Sequence, residues 1–190
     1  MSAERSAPVF FYDLGNPECY LAAERIMSGL PVAPEWEPIV ERHPTARLDT
    51  DEIESRGREL GLQPFRWPAA WPPDTALAML TATYAKQIGR AVAFSLAAFR
   101  QVYAGGRDLG DENTVLIAGA ACEMHPTAVL RAVQTRGVRA ALDSACERAA
   151  AAAVVTLPSI TVGDTVFDGP DAVERAAAVL GERLFLTDDD

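Results

Sequence analysis

The sequence predicts an α/β fold in which a long helical insertion interrupts a small domain of order β-α-β … β-β-α. Three observations predict it. Runs of β-branched and aromatic residues bounded by turn residues occur only near the two ends of the chain. Between them, residues 46–153 carry helical periodicity and no convincing strand. Neither end alone has enough strands to bury a sheet, so the two ends must share one. The chain therefore divides into residues 1–45 with 154–190 as the sheet-bearing domain, and 46–153 as the insertion.

The first strand is read at Val9–Leu14, an aromatic and β-branched run that stops at Gly15. Asn16-Pro17 then opens a helix, because Asn is a favoured N-cap and Pro a favoured first helical residue. Glu18 suits the positive end of that helix, which should stop at Gly29 or Pro31. Glu35–Val40 reads as a second strand, and Pro38 places it at a sheet edge. Asp49 and Glu52 have capping-box spacing for a helix that runs to Leu60 and is closed by Gly61. Residues 63–74 hold four prolines and two tryptophans, an ordered loop. Leu77, Leu80, Tyr84 and Ile88 share one helical face, and Val92, Leu96, Phe99 and Tyr103 share the next. Further helices fit Asp111–Glu123, Pro126–Thr135 and Val138–Ala153. Ser159–Val162 and Thr165–Phe167 flank Gly163-Asp164 as a hairpin. A helix over Pro170–Leu180 closes the fold.

Charge and cysteine use exclude several functions. A net charge of −10 with scattered basic residues opposes nucleic-acid binding and anionic membranes. Three cysteines, Cys19, Cys122 and Cys146, without zinc spacing make neither a disulfide framework nor a metal centre, so no metal is expected. Cys122 and Cys146 read as core residues, and His43 and His125 as surface or cap residues. The N-terminus lacks the basic start and the apolar run of about 7–15 residues that mark a signal peptide. No apolar stretch reaches the roughly 20 residues of a membrane span. A cytoplasmic location is the expectation.

The element order and several collinear motifs resemble the DsbA-like thioredoxin-fold family. Residues 11–22, Phe-Tyr-Asp-Leu-Gly-Asn-Pro-Glu-Cys-Tyr-Leu-Ala, look like its first strand and active-site loop. The Pro and the Tyr-Leu-Ala that follows are similar to the branch of kappa-class glutathione transferases and 2-hydroxychromene-2-carboxylate isomerases. Glu35-Trp36-Glu37-Pro38, Trp71-Pro72-Pro73-Asp74, Leu157-Pro158 and Phe167-Asp168-Gly169-Pro170-Asp171 resemble the same branch. The resemblance implies a thioredoxin-like fold, a cis peptide before Pro158 facing the active-site loop, and often a homodimer. One departure matters. The family has Cys or Ser at the first active-site position, where this chain has Asn16.

The candidate catalytic residues are therefore Asn16 and Cys19. Asn16 cannot attack a disulfide, and a thiol one turn into the helix is less activated than one at its tip. The serine branch, as the resemblance implies, activates a thiol supplied by a small molecule. The Asn16 amide offers two N–H donors toward such a thiolate, beside free N–H groups at the helix N-terminus. The resemblance adds Pro17, Leu157, Pro158 and Asp171 as residues around glutathione or another low-molecular-weight thiol. Tyr12, Trp67 and Trp71 are candidates for the pocket of an electrophilic substrate. Three functions stay open: thiol-dependent transferase, isomerase or reductase chemistry on a small electrophile; disulfide exchange through Cys19 as a monothiol; and a non-catalytic binding module.

Overall fold

The computed structural model describes residues 7–41 and 49–185. His43 lies outside the described residues. The sheet has strands β1 (Val9–Tyr12), β2 (Glu35–Pro38), β3 (Ser159–Val162) and β4 (Thr165–Asp168) in the order β2-β1-β3-β4. β1 and β2 are parallel and are joined through helix α1 (Pro17–Gly29). β3 runs antiparallel to both β1 and β4. The two ends of the chain thus share one sheet through the β1–β3 pair, as their strand content requires. Helix α8 (Ala172–Phe185) follows β4.

The insertion supplies α2 (Thr50–Glu59), α3 (Ala76–Gln87), α4 (Ala91–Tyr103), α5 (Glu112–Ala121), α6 (Pro126–Val133) and α7 (Arg136–Ala151). Caps explain the boundaries. Asp49 Oδ1 accepts the N–H groups of Asp51 and Glu52 at 3.1 Å. His125 Nδ1 caps α6 through the Thr127 N–H. Thr135 Oγ1 accepts from Val138, which starts α7 two residues before the position periodicity alone suggests.

Both strands of the parallel pair end earlier than the sequence suggests. β1 stops at Tyr12 because the Asn16 N–H turns back to the Asp13 carbonyl at 3.1 Å. β2 stops at Pro38: the Ile39 N–H still reaches the Tyr12 carbonyl at 3.0 Å, but the Leu14 N–H that would come next turns to Met79 Sδ at 3.3 Å. β2 lies at the sheet edge, as Pro38 indicates.

One core runs through the sheet and the insertion. Phe10, Tyr12 and Trp36 pack ring against ring with centroids 5.0–5.5 Å apart. Phe99 of α4 reaches both Tyr12 and Tyr20 at 6.0 Å. Tyr12 has no exposed surface, and its hydroxyl bonds to Ser95 Oγ at 2.6 Å. The buried Glu37 carboxylate is matched by Lys86 Nζ at 2.7 Å and Arg148 Nη2 at 2.9 Å, which ties α3 and α7 to β2.

Candidate active site

Four residues connect β1 to α1, and Asp13 organises them. Its Oδ1 accepts the Gly15 N–H at 2.8 Å, and its Oδ2 accepts the Glu41 N–H at 2.9 Å. The loop packs tightly on the Pro-rich segment. A Cβ added to Gly15 would stand 2.8 Å from Thr75 Cγ2. Only glycine allows that approach.

Asn16 is 5% exposed and caps α1. Its Oδ1 accepts the N–H of Glu18 at 2.9 Å and of Cys19 at 3.3 Å. Pro17 has no N–H, and the Tyr20 N–H bonds the Asn16 carbonyl at 3.3 Å. The expectation of free N–H groups at this helix tip is therefore corrected: Asn16 itself occupies them. What remains toward an anion is the helix dipole. The Asn16 Nδ2 donates to Glu41 Oε2 at 3.1 Å and, more weakly, to the Leu157 carbonyl at 3.4 Å.

Glu41 is the residue that sequence reasoning missed. Its Oε1 is shielded from solvent and has no hydrogen-bond partner among the described residues. Burial, with a smaller contribution from the Asp13 charge, raises its carboxyl above the usual range, and the Asn16 hydrogen bond partly offsets this. Asp13 is raised as well, mainly by burial. A signal for Glu41 was present. In a β-α-β unit the carboxyl ends of two adjacent parallel strands lie side by side. A residue just after β2 therefore arrives beside the loop after β1.

The Leu157–Pro158 peptide is cis, and both residues are buried. Leu157 lies beyond the β1–β3 ladder, whose last pair is Phe11 with Ser159. A cavity of about 210 Å³ opens beside it, lined by Glu41, Leu157, Val40, Cys146, Ala149 and Val154 among others. Cys146 is partly buried and packs against the core at this cavity's wall, and its sulfur accepts the Val40 N–H at 3.4 Å. Cys122 is buried as expected.

Cys19 has no exposed surface. Burial raises its thiol well above the ordinary range, and the Asp13 backbone only partly counters this. A thiol without access or thiolate character is a poor nucleophile. Tyr103, another residue missed from sequence, places its hydroxyl 3.5 Å from the Leu14 carbonyl. Burial is the main cause that holds that phenol well above its normal range.

The remaining candidates lie farther out. Tyr12 is sealed in the core and cannot border a cleft, because Ser95 and the surrounding rings enclose it. Trp67 and Trp71 meet edge to face at 5.0 Å and flank Tyr103. Trp67 Nε1 donates to Glu54 at 2.7 Å, while Trp71 is 38% exposed. The Trp71–Pro72 peptide is also cis. Asp171 is exposed. Its neighbour Pro170 is the residue tied to α1 and α2, its carbonyl accepting from Arg25 of α1 and, at 3.4 Å, from Arg56 of α2. Arg56 also pairs with Glu18 at 2.6 Å. Among the described residues no cluster suits a metal ion, and no helix is long and apolar enough to cross a membrane.

The chain matches no protein-family model and no curated protein sequence. Solved structures match it over nearly its whole length. A 2-hydroxychromene-2-carboxylate isomerase is similar at 15% identity and TM-score 0.84, over 97% of this chain and 98% of that one. A probable DsbA oxidoreductase from Streptomyces coelicolor is similar at 15% identity and TM-score 0.76, over 94% and 89%. The cytosolic disulfide reductase DsbM from Pseudomonas aeruginosa is similar at 15% identity and TM-score 0.72, over 95% and 100%. Its structure with GSH matches at 14% identity and TM-score 0.68, over 94% and 99%. With the β-α-β … β-β-α sheet, the helical insertion and the cis peptide beside the α1 tip, these likenesses make the chain a DsbA-like thioredoxin fold.

Proposed function

We propose that this protein binds a low-molecular-weight thiol, glutathione or a relative, at the Asn16–Glu41–Leu157 site and performs thiol-dependent transferase, isomerase or reductase chemistry on a small electrophile. The observation that carries the reading is the Asn16–Glu41 pair. Asn16 Nδ2 holds one carboxylate oxygen at 3.1 Å, and the other oxygen is shielded and, among the described residues, unpartnered beside an open cavity. That geometry fits a proton acceptor for a thiol. Burial raises the Glu41 carboxyl and so narrows the gap to a thiol's proton affinity. The thiol supplies the nucleophilic sulfur that the chain lacks at position 16. Glu41 takes its proton, and the positive end of α1 favours the resulting thiolate. Leu157, outside the strand ladder, leaves backbone groups for the ligand's peptide-like part. Asp171 and the Trp67–Trp71 pair stand as outer candidates for the ligand's amino end and for the electrophile. The neighbouring structure with GSH supports this choice of thiol.

The names of the DsbA and DsbM neighbours favour disulfide chemistry as a second reading. The burial of Cys19 opposes a monothiol version of it. Turnover of a chromogenic halonitroarene and of a small mixed disulfide, each with glutathione, separates the two. A fall of about 100-fold in Glu41→Gln, typical of a lost acid–base group, supports the proposal. Full activity in Glu41→Gln together with none in Cys19→Ala would move the chemistry to Cys19.

A further inference from the structure

A second site lies one turn along α1 from Asn16. A groove of about 580 Å³ runs between α1, the segment after α2 and the segment after α4. This volume falls within the roughly 300–1,000 Å³ typical of small-molecule sites. None of the residues assigned above to thiol binding lines it.

The groove is built around a fixed tyrosine. Tyr20 is 2% exposed, and its ring is held by Tyr103 at 5.3 Å, Phe65 at 5.6 Å and Phe99 at 6.0 Å. Tyr20 lines the groove, and its hydroxyl makes no hydrogen bond to another described residue. Burial, and then the Glu24 charge, push the phenol up to about 12, so it stays protonated and can donate.

The charges in the groove select the ligand. Glu24 is clamped by Arg100 through two 2.7 Å contacts, which cancels both. Arg107 lines the same groove and pairs with no carboxylate among the described residues. It leaves one unmatched positive charge in a chain of net charge −10. Gln63 and Gln101 add amides that pair with no other described side chain, while Leu62 and Ala104 supply apolar surface. The walls are preformed. Leu62 N–H bonds Gly57 at 3.0 Å, Gly105 N–H bonds Arg100 at 2.9 Å, and Arg107 N–H bonds Gln101 at 2.9 Å. A Cβ at Gly105 would meet the Gln101 carbonyl at 2.6 Å, so glycine keeps this wall closed.

We infer that this groove is a binding site for a small organic monocarboxylate, its anion on Arg107 and Tyr20 and its apolar body against Leu62 and Ala104. The class follows from one net positive charge, a phenolic donor and a half-apolar lining.

Benzoate titrated into the full-length protein by calorimetry tests the assignment, with benzamide as the uncharged analogue and inorganic phosphate as a different anion. The expected result is saturable benzoate binding that weakens about tenfold in Arg107→Gln, as for loss of a charge-assisted contact, and several-fold in Tyr20→Phe. Benzamide should bind more weakly, and added glutathione should not compete. Arg107 is exposed and Tyr20→Phe keeps the ring, so both variants should fold. No saturable binding, equal affinity in both variants, equal affinity for benzamide, a preference for phosphate, or competition by glutathione would each overturn the assignment.

Discussion

Two adjacent turns of α1 are finished in opposite ways. At the first, Asn16 and Asp13 satisfy the loop and helix-tip N–H groups from within the chain, and one carboxylate oxygen of Glu41 is left over. At the second, Tyr20, Gln63, Gln101 and Arg107 line an open groove, and their side chains hydrogen-bond no other described residue. Closed hydrogen bonding at the first turn fixes one carboxylate in place. Open hydrogen bonding at the second leaves a surface that a ligand completes. Position along a helix does not by itself decide which outcome holds. The loops that meet it do: the β1–α1 loop and the segment after β2 close the first turn, and the segments after α2 and α4 leave the second open.

Substitutions at the closed turn should therefore have the larger effects on stability. Gly15→Ala forces a methyl group into Thr75 and should cost about 1–3 kcal/mol, read from urea unfolding. An unchanged midpoint would mean that the Pro-rich segment yields. Asn16→Ala removes a cap and the partner of Glu41, and should cost about 1–2 kcal/mol in the same measurement. The ion pairs sharpen the contrast. Arg56→Ala breaks a half-shielded pair with Glu18 beside the closed turn, where side-chain exposures are 20% and 15%. Its cost should be about 1 kcal/mol, and Arg100→Ala at the open turn should cost less.

The smallest effect is one of pH. Glu41 is raised above its ordinary value of 4.5 in the folded chain. Folding thus favours its protonated form, so its contribution to stability is fully present below that value and is lost as pH rises through the folded one. Glu41→Gln should remove this dependence, so melting temperatures of wild type relative to the variant should fall as pH climbs above 4.5. Parallel curves would show that Glu41 titrates normally.

Most of the fold was legible because its signals are local. Asn16-Pro17, Asp49, His125 and Gly163-Asp164 each specify a cap or turn over a few residues, and each does so in the structure. Half of the candidate site was legible for the same reason, through Asn16, Pro17 and Pro158. Glu41 and Tyr103 were not, because they arrive from segments 25 and 89 residues away from their partners Asn16 and Leu14. Their roles depend on strand adjacency and on how α4 packs, not on neighbours in sequence. Tyr12 misled for a related reason. Alternation along β1 does not reveal that Ser95 closes over its hydroxyl. The cap at Asn16 was read correctly, but its consequence, that no free N–H groups remain for a ligand, is plain only once the bonds are traced.

The most direct measurement is the melting temperature of the full chain with and without reduced glutathione, repeated with S-methylglutathione and with Asn16→Ala. Ligand that binds only the folded state raises stability by mass action. Glutathione should raise the wild-type melting temperature, S-methylglutathione should raise it less, and Asn16→Ala should abolish the shift. No shift in wild type, or an equal shift in the variant, would contradict a thiol site at Asn16.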